Sequence, residues 1–152
     1  MDSQTTEIIG RNLLVSQLVR DGLEVARPER DRGVDLIAYL DLGESGEFTA
    51  CPIQMKAATS ASFGISRKYE KFSRLLIVHI WQVQDAATSE TYAMSYDETV
   101  SVADELGWTS TSSWLDKGSY STTSPSATLR GLLEPHRMEA GDWRKKVESI
   151  GS

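Results

Sequence analysis

The sequence lacks the features that mark several common classes of protein. Its single cysteine, Cys51, cannot build a disulfide framework, and two histidines with one cysteine give no zinc-ligand spacing. Uninterrupted apolar runs are only a few residues long, whereas a membrane-spanning helix needs about 20. The N-terminal stretch MDSQTTE has neither the basic nor the apolar region of a signal peptide. We therefore expect a soluble, cytoplasmic protein with no association with membranes.

Other signatures are also missing, and positive charge is in deficit. The sequence contains no glycine-rich phosphate loop and no serine nucleophile elbow. The formal net charge is −6, which disfavours a protein that coats nucleic acid. The charge is uneven: residues 1–80 hold ten Lys and Arg against eleven Asp and Glu, and residues 81–152 hold six against eleven. A local basic face beside metal-binding carboxylates is compatible with this distribution.

The length and composition predict one domain, residues 1–152, with a core of about 5–95 and a helical and loop elaboration of about 96–152. Thr5 or Thr6 is expected to cap the first helix, Gly22 to end it, and Ser95 to cap a later one. We predict a small mixed β-sheet flanked by helices, of α/β or α+β type. The predicted strands are 23–28, 34–42, 48–58, 74–83 and 91–95. The predicted helices are 5–21, 97–106, a short helix within 127–138 that stops at Pro135, and 142–150, with a short helix or helical turn at 67–74. A loop is predicted at 59–67, and a Ser/Thr-rich irregular loop or short strands at 109–128.

Three polar residues interrupt the predicted β-hairpin of strands 34–42 and 48–58. Asp35 stands in the first strand, and Gln54 and Lys56 stand two residues apart in the second, so their side chains share one face. If Asp35 faces the same side, a carboxylate, an amide oxygen and an ammonium group come together. The first two are hard oxygen ligands that suit Mg²⁺, and the lysine can position a water or stabilise charge on a phosphate.

These residues carry a resemblance to a known family. A helix, then GVDLI entering a hairpin, then IQMK on the return strand resembles the PD-(D/E)xK nuclease superfamily in its Q-x-K variant, over about residues 5–82. The resemblance implies a restriction-endonuclease-like fold and a Mg²⁺- or Mn²⁺-dependent DNA endonuclease that hydrolyses phosphodiester bonds as a homodimer or higher homo-oligomer. It implies that Asp35, Gln54 and the backbone carbonyl of Met55 bind the metal and that Lys56 is catalytic.

Two further groups of residues could extend this site. Many members of the superfamily add a glutamate from the first helix; Glu7 is the candidate, and Asn12 is a competing position of weaker chemistry. A helix over 67–74 would present Arg67, Lys68, Lys71 and Arg74 as one basic stripe, which is either a contact for DNA phosphates or a solvated helix face.

Plainer interpretations stay open for most of these residues. Asp35 could pair with Arg30 or Arg32, and Gln54 and Lys56 could form the solvated face of an edge hairpin. We expect His79 to be a core histidine with its hydrogen bonds satisfied, and Cys51 to be an inert buried thiol. The Ser/Thr-rich segment could touch a substrate, or could be a loop packed by its aromatic residues.

Two alternative functions follow from the same features. One is a nuclease-fold protein that has lost catalysis and binds nucleic acid or protein, which is favoured by glutamine at the position of the usual acid. The other is a small acidic interaction protein whose motif match is accidental.

Overall fold

A five-stranded mixed sheet forms the centre of the computed structural model, which describes residues 1–41, 43 and 46–151. Its strand order is β1-β2-β3-β5-β6, and every neighbouring pair is antiparallel except β3 and β5, which are parallel. Strands β4 and β7 pair separately as an antiparallel two-stranded ribbon. The strands are β1 Glu24–Ala26, β2 Leu36–Tyr39, β3 Ala50–Ala57, β4 Phe63–Ser66, β5 Leu76–Trp81, β6 Glu90–Ser95 and β7 Ser119–Thr122.

In the part of the chain that the structure describes, five α-helices accompany the sheet, which confirms the predicted fold class. The same residues form three short 3₁₀ turns: Arg67–Tyr69 between β4 and β5, Trp108–Ser110, and Glu134–His136. Within the described residues, no helix combines the length and the apolar character needed to span a membrane. The helices are α1 Ser3–Arg20, α2 Tyr96–Glu105, α3 Ser112–Lys117, α4 Ala127–Leu133 and α5 Asp142–Gly151.

Helix α1 begins earlier than the sequence pattern predicts. Its N-cap is Asp2, whose carboxylate accepts a hydrogen bond from the backbone N–H of Thr5 at 2.7 Å, so the prediction of Thr5 or Thr6 as the cap is wrong. Aspartate caps a helix at least as well as threonine does, and Asp2 comes before both threonines in the chain, so the helix begins at Ser3. The helix ends at Arg20, and Gly22 follows with a φ of 86°, as expected of a residue just beyond a helix C-terminus.

The predicted hairpin of β2 and β3 is present, and its register explains a proline in a central strand. Ile37 pairs with Pro52 and Leu36 with Ile53 without a bulge. The parallel pairing of β3 with β5 starts only at Ile53, so the missing N–H of Pro52 costs no ladder hydrogen bond on that side. Leu42, Glu44 and Ser45, in the predicted strand end and turn, lie outside the described residues.

The sheet separates two hydrophobic cores. Helices α1 and α5 cover one face, where buried side chains such as Leu14, Ile53 and Val147 pack together. The β4–β7 ribbon, α2 and α4 cover the other, around Phe63, Ile77 and other apolar residues. All six residues of β5 are buried because both faces of this strand are covered, as the prediction of a central strand here requires.

Two local predictions are wrong. Strand β4 forms where a loop was expected at 59–67, because its partner β7 lies more than fifty residues further along the chain. Helix α3 forms inside the Ser/Thr-rich segment, where Thr111 caps it and Gly118 ends it with a φ of 70°. Of the short helix or helical turn expected at 67–74, the turn is present as the 3₁₀ turn Arg67–Tyr69, which is too short to present a helical basic stripe.

Candidate functional site

Asp35 lies immediately before β2 and extends the pairing of that strand with β3. Its backbone N–H donates to the carbonyl of Ile53 at 2.8 Å, and its Oδ2 accepts from the N–H of Met55 at 2.7 Å. Ile53 is also the residue opposite Leu36, so the bond to its carbonyl departs from the regular register by one residue at Asp35. Asp35 lines two cavities together with Gln54, one of which also includes Lys56, and its Oδ2 already bonds the backbone of β3.

The pKa of Asp35 is affected by burial, by a backbone hydrogen bond, by two other carboxylates and by the ammonium group of Lys56. Burial raises the pKa of Asp35 above its usual value, and the hydrogen bond from Met55 opposes that effect. Asp31 and Glu7 raise this pKa further by repulsion, whereas Lys56 lowers it. These shifts show that two further carboxylates and the lysine are close enough to act on Asp35.

A cavity of about 300 Å³ brings the predicted residues together. It opens at the junction of α1 with the C-terminal half of β3. The structure thus assembles every residue predicted for metal binding or catalysis in one place. The cavity is lined by Ser3, Glu7, Asp31, Asp35, Gln54, Met55, Lys56 and Ala57.

Glu7 reaches this cavity from the first turns of α1. Its carboxylate is half exposed and pairs with Arg11 one turn later, at 3.0 Å. Asn12, the competing position, is not among the residues that line the cavity. Of the two helix positions considered, the fold brings only Glu7 to the hairpin.

Gly10 explains how α1 comes so close to β3. A Cβ placed on Gly10 would lie 2.5 Å from the Cβ of Ala57, a distance that real side chains do not reach. Glycine in a helix interior is less stable than alanine, so Gly10 lowers the stability of α1 itself. The close packing of α1 against β3 needs a residue without a side chain at this position. The absent side chain lets the first turns of α1, with Glu7, lie against the end of β3.

Asp31 is a site residue that sequence reasoning missed. It lies in the charged turn ERDRG, residues 29–33, and its Oδ1 accepts from the N–H of Gly33 at 3.4 Å. It lines both the small cavity and a larger neighbouring one. The available signal was an acidic residue four positions before Asp35, in the turn that leads into β2.

The oxygen atoms of the site form a mixed donor set. In the part of the chain that the structure describes, no three or more His, Cys, Asp or Glu side chains are grouped as metal ligands. The oxygen atoms available to a metal ion are those of the Asp35 carboxylate, the Gln54 side-chain amide and the Met55 backbone carbonyl. The Gln54 Nε2 donates a hydrogen bond to this carbonyl at 3.5 Å. All three groups are hard oxygen ligands, and such a set fits Mg²⁺ or Mn²⁺ when phosphate and water complete the coordination.

Lys56 is held by an aromatic ring. Its Nζ lies 5.2 Å from the centre of the Tyr69 ring, within the range of a cation–π interaction. Lys68 lies 5.0 Å from the same ring centre. Tyr69 thus has two ammonium groups near its ring, and one of them, that of Lys56, lines the small cavity.

A second cavity, of about 710 Å³, extends the site along the surface. Asp31, Asp35 and Gln54 line it together with four basic residues, Arg32, Lys68, Lys71 and Arg74. Three of the four residues predicted to bind nucleic acid thus share a cavity with Asp35, although no helix arranges them.

Arg67, the fourth basic residue, lies elsewhere. Its guanidinium is 4.7 Å from the Trp114 ring centre and donates to the Trp114 carbonyl at 3.2 Å. Trp108 and Trp114 are themselves buried in the second core, so the aromatic residues of the Ser/Thr-rich segment pack internally. Arg67 is therefore engaged in holding α3.

Cys51 and His79 were both expected to be buried core residues without a function, and the structure supports the expected environment only for Cys51. Cys51 is buried, and burial raises the pKa of its thiol to about 12. His79 is also buried, but its Nδ1 has no hydrogen-bond partner, so the expectation of a satisfied core histidine is wrong. Burial, with a smaller effect of Lys56, lowers the pKa of His79 to about 4 despite a hydrogen bond to the Gly64 backbone.

Comparison with known proteins gives one structural likeness and no sequence match. No family model and no curated protein matches the chain. Its fold is similar to the solved structure of a bacterial homing endonuclease, I-Ssp6803I, with a TM-score of 0.52 and 11% sequence identity over 98% of this chain and 94% of that one. At this identity the likeness is one of fold, and the fold of this chain is accordingly one that a nuclease also has.

Proposed function

We propose that this protein is a metal-dependent DNA endonuclease of the PD-(D/E)xK type, in its Q-x-K form. The observation that carries the proposal is the shared cavity of Asp35, Gln54 and Lys56 from the hairpin and Glu7 from α1. These four residues come from α1, from the position before β2 and from β3, and they are up to 49 positions apart, counting from Glu7 to Lys56. An accidental motif match gives no reason for all four to meet.

Asp35, Gln54 and Met55 would hold the metal ion through a carboxylate, an amide oxygen and a backbone carbonyl. A bound Mg²⁺ or Mn²⁺ supplies Lewis-acid stabilisation of charge on the phosphate. Glutamine brings no charge, but Glu7 and Asp31 add two carboxylates at the same cavity. The fold thereby supplies negative charge that residue 54 does not.

Lys56 would act on the reacting groups. Its ammonium can orient the attacking water and stabilise the negative charge that develops on the phosphate during hydrolysis. The neighbouring basic residues Lys68, Lys71 and Arg74 would bind the phosphates on either side of the cleaved bond. Arg67 could join them only by leaving Trp114. Cutting both strands of a duplex needs two such sites, so we propose a homodimer or higher homo-oligomer.

The proposal is tested by incubating supercoiled plasmid with the protein and Mg²⁺ or Mn²⁺. We expect nicked and linear products, and we expect Lys56→Ala to lower the rate by at least about 100-fold, the usual scale for losing a charge-stabilising group. Lys145→Ala is the matched control, because it removes the same charge from an exposed position on α5. No cleavage by the unaltered protein with either ion, or equal cleavage by Lys56→Ala, would contradict the proposal.

A second candidate function is supported by the bonding of Asp35. One of its carboxylate oxygens is already used by the N–H of Met55, which is the role of a structural aspartate at a strand end. A nuclease-fold protein that binds DNA without cutting it would keep this contact. Salt-sensitive DNA binding without cleavage in the plasmid assay would establish this alternative.

A further inference from the structure

A third cavity, of about 700 Å³, shares Lys56 with the site but extends away from Asp35. Its walls come from β3 and β5 of the main sheet, from both strands of the β4–β7 ribbon, and from the 3₁₀ turn that carries Lys68 and Tyr69. The proposed hydrolysis uses only the Lys56 end of it. The rest of the cavity is therefore unexplained by the proposed function.

His79 brings to this cavity a polar atom that lacks a hydrogen-bond partner. The side chain lines the cavity and is 3% exposed, and its Nδ1 has no hydrogen-bond partner. The Gly64 backbone raises the pKa of the ring, as a carbonyl facing a ring N–H does, and Nδ1 has no partner, so we assign the N–H of the neutral ring to Nε2 and the lone pair to Nδ1. A buried acceptor without a donor is costly. A ligand that presents an N–H group at this point would satisfy it.

The other lining residues match the remaining parts of a nucleotide. Tyr120 lines the cavity with a half-buried aromatic ring that can stack against a base, whereas the Tyr69 ring is already covered by the ammonium groups of Lys56 and Lys68. The ammonium groups of Lys56 and Lys68 can bind phosphate, and serine hydroxyls from both strands of the ribbon can donate to or accept from base edges.

The size of the cavity favours one nucleotide. Its volume falls within the range of about 300–1,000 Å³ that is typical of small-molecule sites, which is more than an inorganic ion fills and less than a duplex needs. Enzymes that take a nucleotide out of a duplex read its exposed pairing edge by hydrogen bonds and stack its faces.

We propose that this cavity binds one unpaired nucleotide of the DNA, next to the phosphate at Lys56, with a base N–H donated to His79. The inference rests on the proposed function, because it takes DNA as the substrate. It adds a substrate class: DNA that contains, or readily forms, an unpaired nucleotide near the cleaved bond.

The test compares two labelled DNAs in EDTA, where cleavage cannot interfere: a fully paired duplex and the same duplex with one bulged nucleotide. We expect the protein to bind the bulged duplex at least about tenfold more tightly, because the cost of unpairing is already met. His79→Phe should reduce this preference to about twofold or less and leave the affinity for paired DNA unchanged. Phenylalanine keeps a ring in place beside Phe63, whose centre is 5.0 Å from that of His79.

His136→Gln is the control, since it removes the other of the two histidines and is not among the residues that line this cavity. It should keep the full preference for the bulged duplex. Equal affinities for the two DNAs, or an unchanged preference in His79→Phe, would overturn the inference while plasmid cleavage still tests the nuclease. Absence of binding to both DNAs in EDTA would overturn the inference, and absence of plasmid cleavage with Mg²⁺ or Mn²⁺ would overturn the proposed nuclease.

Nitrogen-15 NMR of labelled histidine gives a second measurement that needs no core substitution. The chain has only two histidines, and His136→Gln assigns the spectrum. The Nδ1 resonance of His79 should move upfield when bulged DNA saturates the protein, as a lone pair that accepts a hydrogen bond does. An unchanged resonance at saturation would refute the contact.

Discussion

At the residue scale, Asp35 takes part in two kinds of interaction, a hydrogen bond to the backbone and electrostatic interactions with neighbouring charges. It bonds the backbone of β3 through Oδ2, and it lies among the charges of Asp31, Glu7 and Lys56. Because burial and the two carboxylates raise its pKa, ionisation of Asp35 opposes folding, and this cost grows as the pH rises past the usual aspartate range. A cation bound beside Asp35 would remove part of that cost.

Gln54 is the residue at which we expect a single change to strengthen metal binding. Gln54→Glu adds a carboxylate near Asp35, at the position where the proposed PD-(D/E)xK pattern usually has an acid. We expect the Mg²⁺ concentration at half-maximal cleavage to fall about tenfold, equivalent to about 1.4 kcal/mol. Without metal, repulsion between the carboxylates should lower the Tm, and Mg²⁺ should restore it.

The control for this change is Gln84→Glu, which adds the same charge at an exposed position outside the cavity lining. It should leave the Mg²⁺ dependence unchanged. If Gln54→Glu also leaves it unchanged, residue 54 is not a metal ligand.

At the scale of elements, the contact between α1 and β3 decides whether Glu7 belongs to the site. The two elements touch where Gly10 faces Ala57, with Val83 and Met55 nearby. Cores are packed to near-crystalline density, so an added methyl group at such a contact moves a whole element.

Gly10→Ala should therefore displace α1 from β3. We expect it to destabilise the protein by up to about 2 kcal/mol, because overpacking costs about 1–3 kcal/mol and the higher helix propensity of alanine offsets about 1 kcal/mol of that. We also expect slower cleavage, since Glu7 moves with the helix. Denaturant unfolding measures the first effect and the plasmid assay the second.

Gly131→Ala on α4 is the matched substitution, because a Cβ there meets nothing within 4 Å. It should stabilise the protein by about 0.5–1 kcal/mol through helix propensity alone. Combining Gly10→Ala with Ala57→Gly should restore part of the cleavage rate. Stability of Gly10→Ala equal to that of Gly131→Ala would show that the contact is not tight.

At the scale of the whole molecule, an acidic protein must bind an acidic polymer through a local basic surface. The net charge is −6, of which residues 81–152 contribute −5. Lys68, Lys71 and Arg74 concentrate positive charge at the cavity that also contains Asp35. DNA affinity should therefore depend on a few contacts and on salt.

Lys71→Ala tests how these contacts act. The slope of log affinity against log salt concentration should become shallower by about 0.9, the change expected for one lost phosphate contact. Lys145→Ala changes the net charge equally from an exposed position on α5 and should leave the slope as it is. Identical slopes for Lys71→Ala and the unaltered protein would exclude Lys71 from the interface.

Local patterns determined most of the elements. Central strand β5 is an apolar run long enough to be identified on its own, and Ser95 caps α2 through a capping box, with Glu98 three residues later, that is visible in the sequence. The Asp35, Gln54 and Lys56 constellation was also available, because side chains two apart in a strand share a face and a hairpin fixes its partner strand. These features depend on neighbours a few residues away, which is what a sequence pattern records.

Contacts between distant segments were decided only by the tertiary structure. Strand β4 is defined by pairing with β7, Asp31 enters the site because its turn folds over Asp35, and Gly10 matters because Ala57 lies against it. The buried, unpartnered Nδ1 of His79 exists because the ribbon and the sheet enclose that ring. Each depends on which surfaces pack together, and packing of remote segments leaves no periodic trace in the chain.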